Sequence, residues 1–187
     1  NWFEVSADLD DEKFLTYERI SPYLAGFLSK QWFLRGEYVY GEKTIARRPG
    51  READSHSVSL DSYYFIQGLK RYAVVGYTFR VDNARANRYD YHSHAIKARY
   101  VHRKNLRRLP LELEIEGKYE NRQYKTPDPM IGTEREDTRW RFSAELRLSF
   151  TDHASWAVLI KNSDYDSNLP TASYSDLLVG TEIRLSF

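Results

Sequence analysis

The chain has 187 residues, with 28 Lys and Arg against 27 Asp and Glu, no Cys and one Met. That length fits one domain or one small barrel rather than two domains with separate cores. The balanced charge excludes a nucleic-acid binder working through a basic field, and the missing thiols exclude a disulfide framework or thiolate metal site. Mean hydropathy is -0.69, and no apolar run reaches the length of a membrane helix. A strand whose alternate residues alone face lipid escapes both measures.

Scored for a period of two, the sequence breaks into about ten strands. The first spans residues 2–9, with Phe3, Val5, Ala7 and Leu9 on one face, and bends at 10–13. Since Asn1-Trp2-Phe3-Glu4 already reads as strand, a mature or truncated product is expected. The second, 17–28, sets Ile20, Leu24 and Leu28 against Arg19, Ser21 and Tyr23, with Pro22 as an interruption. The third, 32–43, points Trp32, Leu34, Tyr38 and Tyr40 one way and Arg35, Glu37 and Lys43 the other. Strands at 55–66, 72–81, 91–102, 111–124, 139–150, 156–165 and 175–187 follow.

Connections near 29–31, 67–70, 103–108 and 151–155 are short, whereas those at 44–54, 82–90, 125–137 and 166–174 are long and polar. Sorting of loop length by side is the pattern of an outer-membrane barrel, with periplasmic turns opposite external loops. Trp32, Tyr72, Tyr100, Phe150, Trp156 and Phe187 fall beside short turns and are expected to form one aromatic belt.

The last strand puts Leu177, Val179, Thr181, Ile183, Leu185 and Phe187 on one face, and Asp176, Gly180, Glu182, Arg184 and Ser186 on the other. It resembles the C-terminal signature of outer-membrane barrels, which implies that Phe187 is part of the signal read by the barrel assembly machinery.

Opposite the apolar stripe lies charge. Glu112, Glu114, Glu116 and Glu120 share one face, Arg139, Arg141 and Arg147 share the matching face of the next strand, and Lys97 and Arg99 come from the preceding one. Neighbouring antiparallel strands bring such groups side by side. A dry soluble core would pay several kcal/mol for each unpaired charge, so a lumen is expected, either filled by ion pairs or acting as a selectivity lining.

The stretches Gly76-Tyr77-Thr78-Phe79, Asn87-Arg88-Tyr89-Asp90-Tyr91, Arg135-Glu136-Asp137-Thr138-Arg139 and Tyr165-Asp166-Ser167-Asn168-Leu169-Pro170 carry a resemblance. Residues 76–187 resemble the C-terminal barrel of outer-membrane proteins with periplasmic tetratricopeptide repeats, such as the surface lipoprotein assembly modifiers and related exporters. The resemblance implies a barrel without its repeat arm and no catalytic residue.

His92 and His94, beside Asp90 and Ser93, invite a hydrolase reading, but they share a face with Ile96 and so point outward. Asp164, Asp166 and Asn168 have the odd spacing of a calcium loop without its Gly or closing Glu. Arg47, Arg48 and Arg51 sit on an external loop suited to lipopolysaccharide phosphates. Arg103, Lys104, Arg107 and Arg108 form a basic turn suited to anionic lipids or a periplasmic partner. No phosphate-cradling Gly loop, metal-ligand cluster or nucleophile elbow stands out, so no cofactor, metal or nucleic acid is expected.

The expectation is therefore all-β: one antiparallel up-and-down transmembrane β-barrel of about ten strands over residues 1–187, in a Gram-negative outer membrane. Its expected role is non-enzymatic, as anchor or conduit of an export or surface-assembly system working with a periplasmic or surface protein partner. A small outer-membrane enzyme and a passive, porin-like pore are the alternatives.

Overall fold

The computed structural model describes residues 2–9, 12–46, 48–151 and 153–185. Eleven strands account for most of them: β1 (Trp2–Leu9), β2 (Glu12–Ile20), β3 (Tyr23–Phe27), β4 (Trp32–Ile45), β5 (Ala53–Phe65), β6 (Arg71–Ala84), β7 (Tyr91–Leu106), β8 (Leu109–Pro127), β9 (Glu134–Ser149), β10 (Ala154–Ser167) and β11 (Tyr174–Leu185). Single-turn 3-10 helices at Pro49–Arg51, Asn87–Tyr89 and Pro170–Ala172 sit in three of the longer connections.

All strands belong to one antiparallel sheet ordered β1-β2-β4-β5-β6-β7-β8-β9-β10-β11, with β3 also on β4. β2 and β3 are two halves of one pass along β4, since Ile20 pairs with Tyr40 and Tyr23 with Glu37. The break falls at Ser21 and Pro22, where proline has no amide to give the ladder. Eleven strands thus make the ten passes expected. No pairing among the described residues joins β1 to β11, so the expected closed ring is not part of the observed hydrogen bonding.

Two turns differ from expectation. The basic turn expected at 103–108 shrinks to Arg107 and Arg108, with φ of 49° and 82°, because β7 and β8 pair down to Leu106 and Leu109. Positive φ at both central residues matches the right-handed twist of the flanking strands. At the other end of the sheet, Leu9 pairs with Glu12. That connection is short yet lies on the side of the long ones, an exception to the sorting of loop length by side.

The register divides every strand into the same two faces. Trp32 lies opposite Tyr64, then Ala73, Tyr100, Ile115, Ala144, Ile160 and Val179 across successive strands. Side chains on this outer face stay uncovered, among them Val58, Leu60, Val75, Ile96, Phe142, Leu146, Ile160 and Leu177. The inner face is the more buried. A small core of Tyr72, Val74 and Val101, flanked by Tyr63 and Phe65, lies there toward the short connections.

Tyr72 is therefore not in the outer aromatic belt. Its hydroxyl accepts from Arg99 Nη2 at 3.1 Å, and the ring is 7% exposed. Tyr100 does face outward, but six residues above the end of β7 at Leu106. Phe187 lies outside the described residues. The belt beside the short connections consists of Trp32, Tyr64, Phe150 and Trp156, with Trp32 and Tyr64 rings 4.9 Å apart. In β1, pairing of Phe3 with Arg19, Val5 with Tyr17 and Ala7 with Leu15 turns Phe3, Val5 and Ala7 inward.

Gly76 shows how the inner face is fitted. A Cβ there would lie 2.1 Å from Asp61 Oδ1 and 3.1 Å from Lys97 Cε, because Asp61 of β5 and Lys97 of β7 meet across β6 at 3.1 Å. Gly76→Val is expected to part this pair and to destabilise the fold by about 1–3 kcal/mol, as overpacking does. Denaturant unfolding of folded Gly76→Val against Gly76→Ala measures it, and equal stability of all three proteins would contradict the packing account.

Candidate functional site

The inner face of β7 to β10 holds the charge expected from the sequence. Opposite one another stand Arg103, Glu112 and Arg147, then Val101, Glu114 and Glu145, then Arg99, Glu116 and Ser143. Above them come Lys97, Lys118 and Arg141, then Ala95, Glu120 and Arg139. The acidic ladder is thus interrupted by Lys118, which the sequence reading had not placed.

Most of these groups are paired. Arg99 meets Glu114 at 3.6 Å, Arg103 meets Glu112, and Arg147 meets Glu145 on its own strand. Glu120 gathers Lys118 at 3.6 Å, Arg122 at 3.2 Å and Arg141 at 3.5 Å. Arg139 Nε donates to Ser163 Oγ at 3.4 Å. Glu116 faces Arg99 in register. Each side chain in these pairs is partly exposed, so the wall is wet, and its pairs fix orientation more than they add stability.

Beside this wall the inner face of β3 to β6 is aromatic. Phe27 and Phe33 rings stand 5.0 Å apart edge to face, Phe33 and Tyr63 5.5 Å, and Phe65 and Tyr72 5.9 Å. They line an open hollow of about 550 Å³ with Tyr23 and Arg35, whose guanidinium lies 4.8 Å from the Tyr23 ring. The sequence reading missed this patch. Its signal was present, since Phe33, Tyr63 and Phe65 share the parity of Arg35 and Asp61.

The loop cations divide. Arg47 lies outside the described residues, and Arg48 precedes the 3-10 helix that holds Arg51. Arg51 packs 5.0 Å from the Tyr89 ring. Hydrogen bonding to Arg51, opposed by burial and aided by the charges of Arg51 and Arg88, lowers the Tyr89 pKa from its ordinary value. Arg103 belongs to β7 and the inner face, where Nη1 donates to Leu69 O at 2.8 Å. Lys104 pairs with Leu111 on the outer face. Arg107 and Arg108 form the tight turn.

The histidines face outward. His94 Nδ1 lies 2.6 Å from the Tyr77 hydroxyl, His56 Nδ1 lies 2.7 Å from that of Tyr38, and His92 Nε2 lies 3.0 Å from Gln123 Oε1. With Tyr119 and Trp140, whose rings are 4.5 Å apart, they form a second belt of amphipathic rings toward the long connections. Asn168, considered for a cation loop, instead clamps β9: Nδ2 donates to Glu134 O at 2.9 Å and Oδ1 accepts from Glu136 N at 3.0 Å.

Three of the four stretches that carried the resemblance meet at this end. Asp137 is buried to 2% and accepts from Arg135 Nε at 2.8 Å, Ser167 Oγ at 2.6 Å and the Tyr165 hydroxyl. Asp90 Oδ1 accepts from Ala84 N at 2.6 Å and fixes the Asn87–Tyr89 turn. No described helix is long and apolar enough to cross a membrane, which leaves crossing by strands open.

In comparison with known families, the model for surface lipoprotein assembly modifiers matches residues 17–158. No curated protein and no solved structure matches the chain.

Proposed function

Because this chain belongs to the surface lipoprotein assembly modifier family, we propose that it is the outer-membrane β-sheet wall of a surface lipoprotein assembly system. It acts as anchor or conduit and catalyses no reaction. The observation that carries this reading is the sorting of side chains. All four tryptophans, Trp2, Trp32, Trp140 and Trp156, lie on the outer face and are 38–65% exposed. They accompany an aliphatic stripe, while the ion-paired wall of Arg99, Arg103, Glu112, Glu114, Glu120, Arg141 and Arg147 lies on the inner face.

An apolar face of this extent is unusual on a water-soluble monomer. In a bilayer it faces hydrocarbon, and the two belts of Tyr, Trp and His sit at the interfaces. Closure of the ring, lipopolysaccharide and lipids around it, insertion by the barrel assembly machinery and a lipoprotein or periplasmic partner all belong to this proposal. The outward histidines, held by Tyr77, Tyr38 and Gln123, support the non-enzymatic part.

Reconstitution into vesicles of brominated phosphatidylcholine tests it. Bromines on the acyl chains are expected to quench most of the tryptophan emission, whereas acrylamide in the water quenches little. A chain that stays monomeric and folded in detergent-free buffer, with acrylamide reaching its tryptophans, would sink the proposal.

A further inference from the structure

Between the long connections and the top of the inner face lies a polar cavity of about 400 Å³. Four cations from separate elements border it: Lys43 on β4, Arg51 in the 3-10 helix after it, Arg122 on β8 and Arg135 on β9. Asp82 is the one carboxylate on its lining, and it is already engaged, accepting from Arg80 Nη2 at 3.0 Å and the Tyr91 hydroxyl at 3.2 Å.

Each guanidinium is set against a tyrosine ring. Arg122 lies 4.2 Å from the centroid of Tyr91, Arg135 4.9 Å from that of Tyr124, and Arg51 5.0 Å from that of Tyr89. Stacking fixes the plane of each guanidinium; Arg122 Nη2 is also held by Glu120 at 3.2 Å and Arg135 Nε by Asp137 at 2.8 Å, so their remaining edge donors are the ones open to a ligand. Arg122 Nε is buried without a hydrogen-bond partner. Lys43 and Arg51 have no ion-pair partner among the described residues. A set of oriented donors around a small hollow whose one lining acid, Asp82, is already satisfied suits an oxygen-rich anion.

We propose that this cavity binds a phosphate ester, with Lys43 and Arg51 as the free cations that grip it and Arg122 and Arg135 as pre-set donors behind them. A tetrahedral, multiply charged phosphate can use donors arriving from four elements, whereas a planar carboxylate saturates on one guanidinium. The volume holds one headgroup rather than a length of peptide. The site is argued from its own residues and stands whether or not the sheet spans a bilayer.

Calorimetric titration of the folded full chain in neutral detergent micelles with pyrophosphate tests it. The double variant Lys43→Gln, Arg51→Gln breaks no observed ion pair, so it is expected to fold and to weaken binding by about tenfold or more. Arg107→Gln, at the opposite end, is expected to change nothing. Glycerol phosphate and phosphatidylcholine vesicles containing phosphatidic acid then separate a soluble source from a lipid headgroup. Binding of either that is lost in the double variant supports the site. Absence of pyrophosphate binding by the native chain, equal binding by the double variant, or tighter binding of a polyglutamate peptide that phosphate does not displace would each overturn it.

Discussion

Asp137→Ala is expected to destabilise the protein by about 3–5 kcal/mol, the cost of removing one partner from a buried ionic cluster. The carboxylate is 2% exposed, yet it takes hydrogen bonds from Arg135, Tyr165 and Ser167 at once. Deleting it takes from the Arg135 guanidinium and two part-buried hydroxyls the one acceptor they share. Asp137→Asn keeps an acceptor and loses the charge, so about 1–3 kcal/mol is expected. Ser167 Oγ also accepts from Leu169 N at 3.1 Å, so the damage should spread into the connection at 168–173. Denaturant unfolding of the reconstituted variants gives the energies, and amide exchange at 168–173 gives the spread. A cost for Asp137→Ala below that of Asp137→Asn would contradict the cluster reading.

The second large effect concerns the outer face. Val75 is 58% exposed, lies between Ser62 and Ala98 across the sheet, and stands between the two belts. In hydrocarbon, Val75→Arg is expected to cost about 2–4 kcal/mol, the range for a cation near the midplane of a membrane barrel. On a water-facing surface the same change stays within about 0.5 kcal/mol. Unfolding equilibria in lipid vesicles, with Asn83→Arg beyond the upper belt as the comparison, distinguish the two. Equal and negligible costs at both positions would mean that lipid does not touch this face.

Much of this organisation was legible in the sequence because strand alternation is local. The inward set Glu112, Glu114, Glu116 and Glu120 follows from parity within β8 once one neighbour is known to be apolar. The same parity turned His92 and His94 outward beside Ile96. Nearness to a turn is the weaker guide. Tyr72 was assigned to the belt by its nearness to a short turn, whereas pairing with Phe65 and Val101 sets it inside. In β1 the shared face of Phe3, Val5 and Ala7 holds, and pairing with Arg19, Tyr17 and Leu15 sets it inward.

The turn at Arg107 and Arg108 shows another limit. A run of basic residues and Asn105 broken only by Leu106 read as a loop, but two long strands keep pairing down to Leu106 and Leu109, and Arg103 is held by Glu112 on the inner face. Backbone pairing supplied by both strands outweighs the local preference of a basic run for solvent.

By itself the sequence determined the number of passes, the face to which most strand residues turn, and the apolar and charged character of the two faces, because a period of two is written residue by residue. Only the tertiary structure decided who meets whom: Asp61 with Lys97 over the gap left by Gly76, Phe27 with Phe65 across β4, and Arg51 with Arg122 and Arg135 around one cavity. Those partners are separated by other strands and by long stretches of chain, and nothing local in either partner names the other. Their meeting follows from register accumulated across the sheet, and a slip of one residue in any hairpin would move them to the other face.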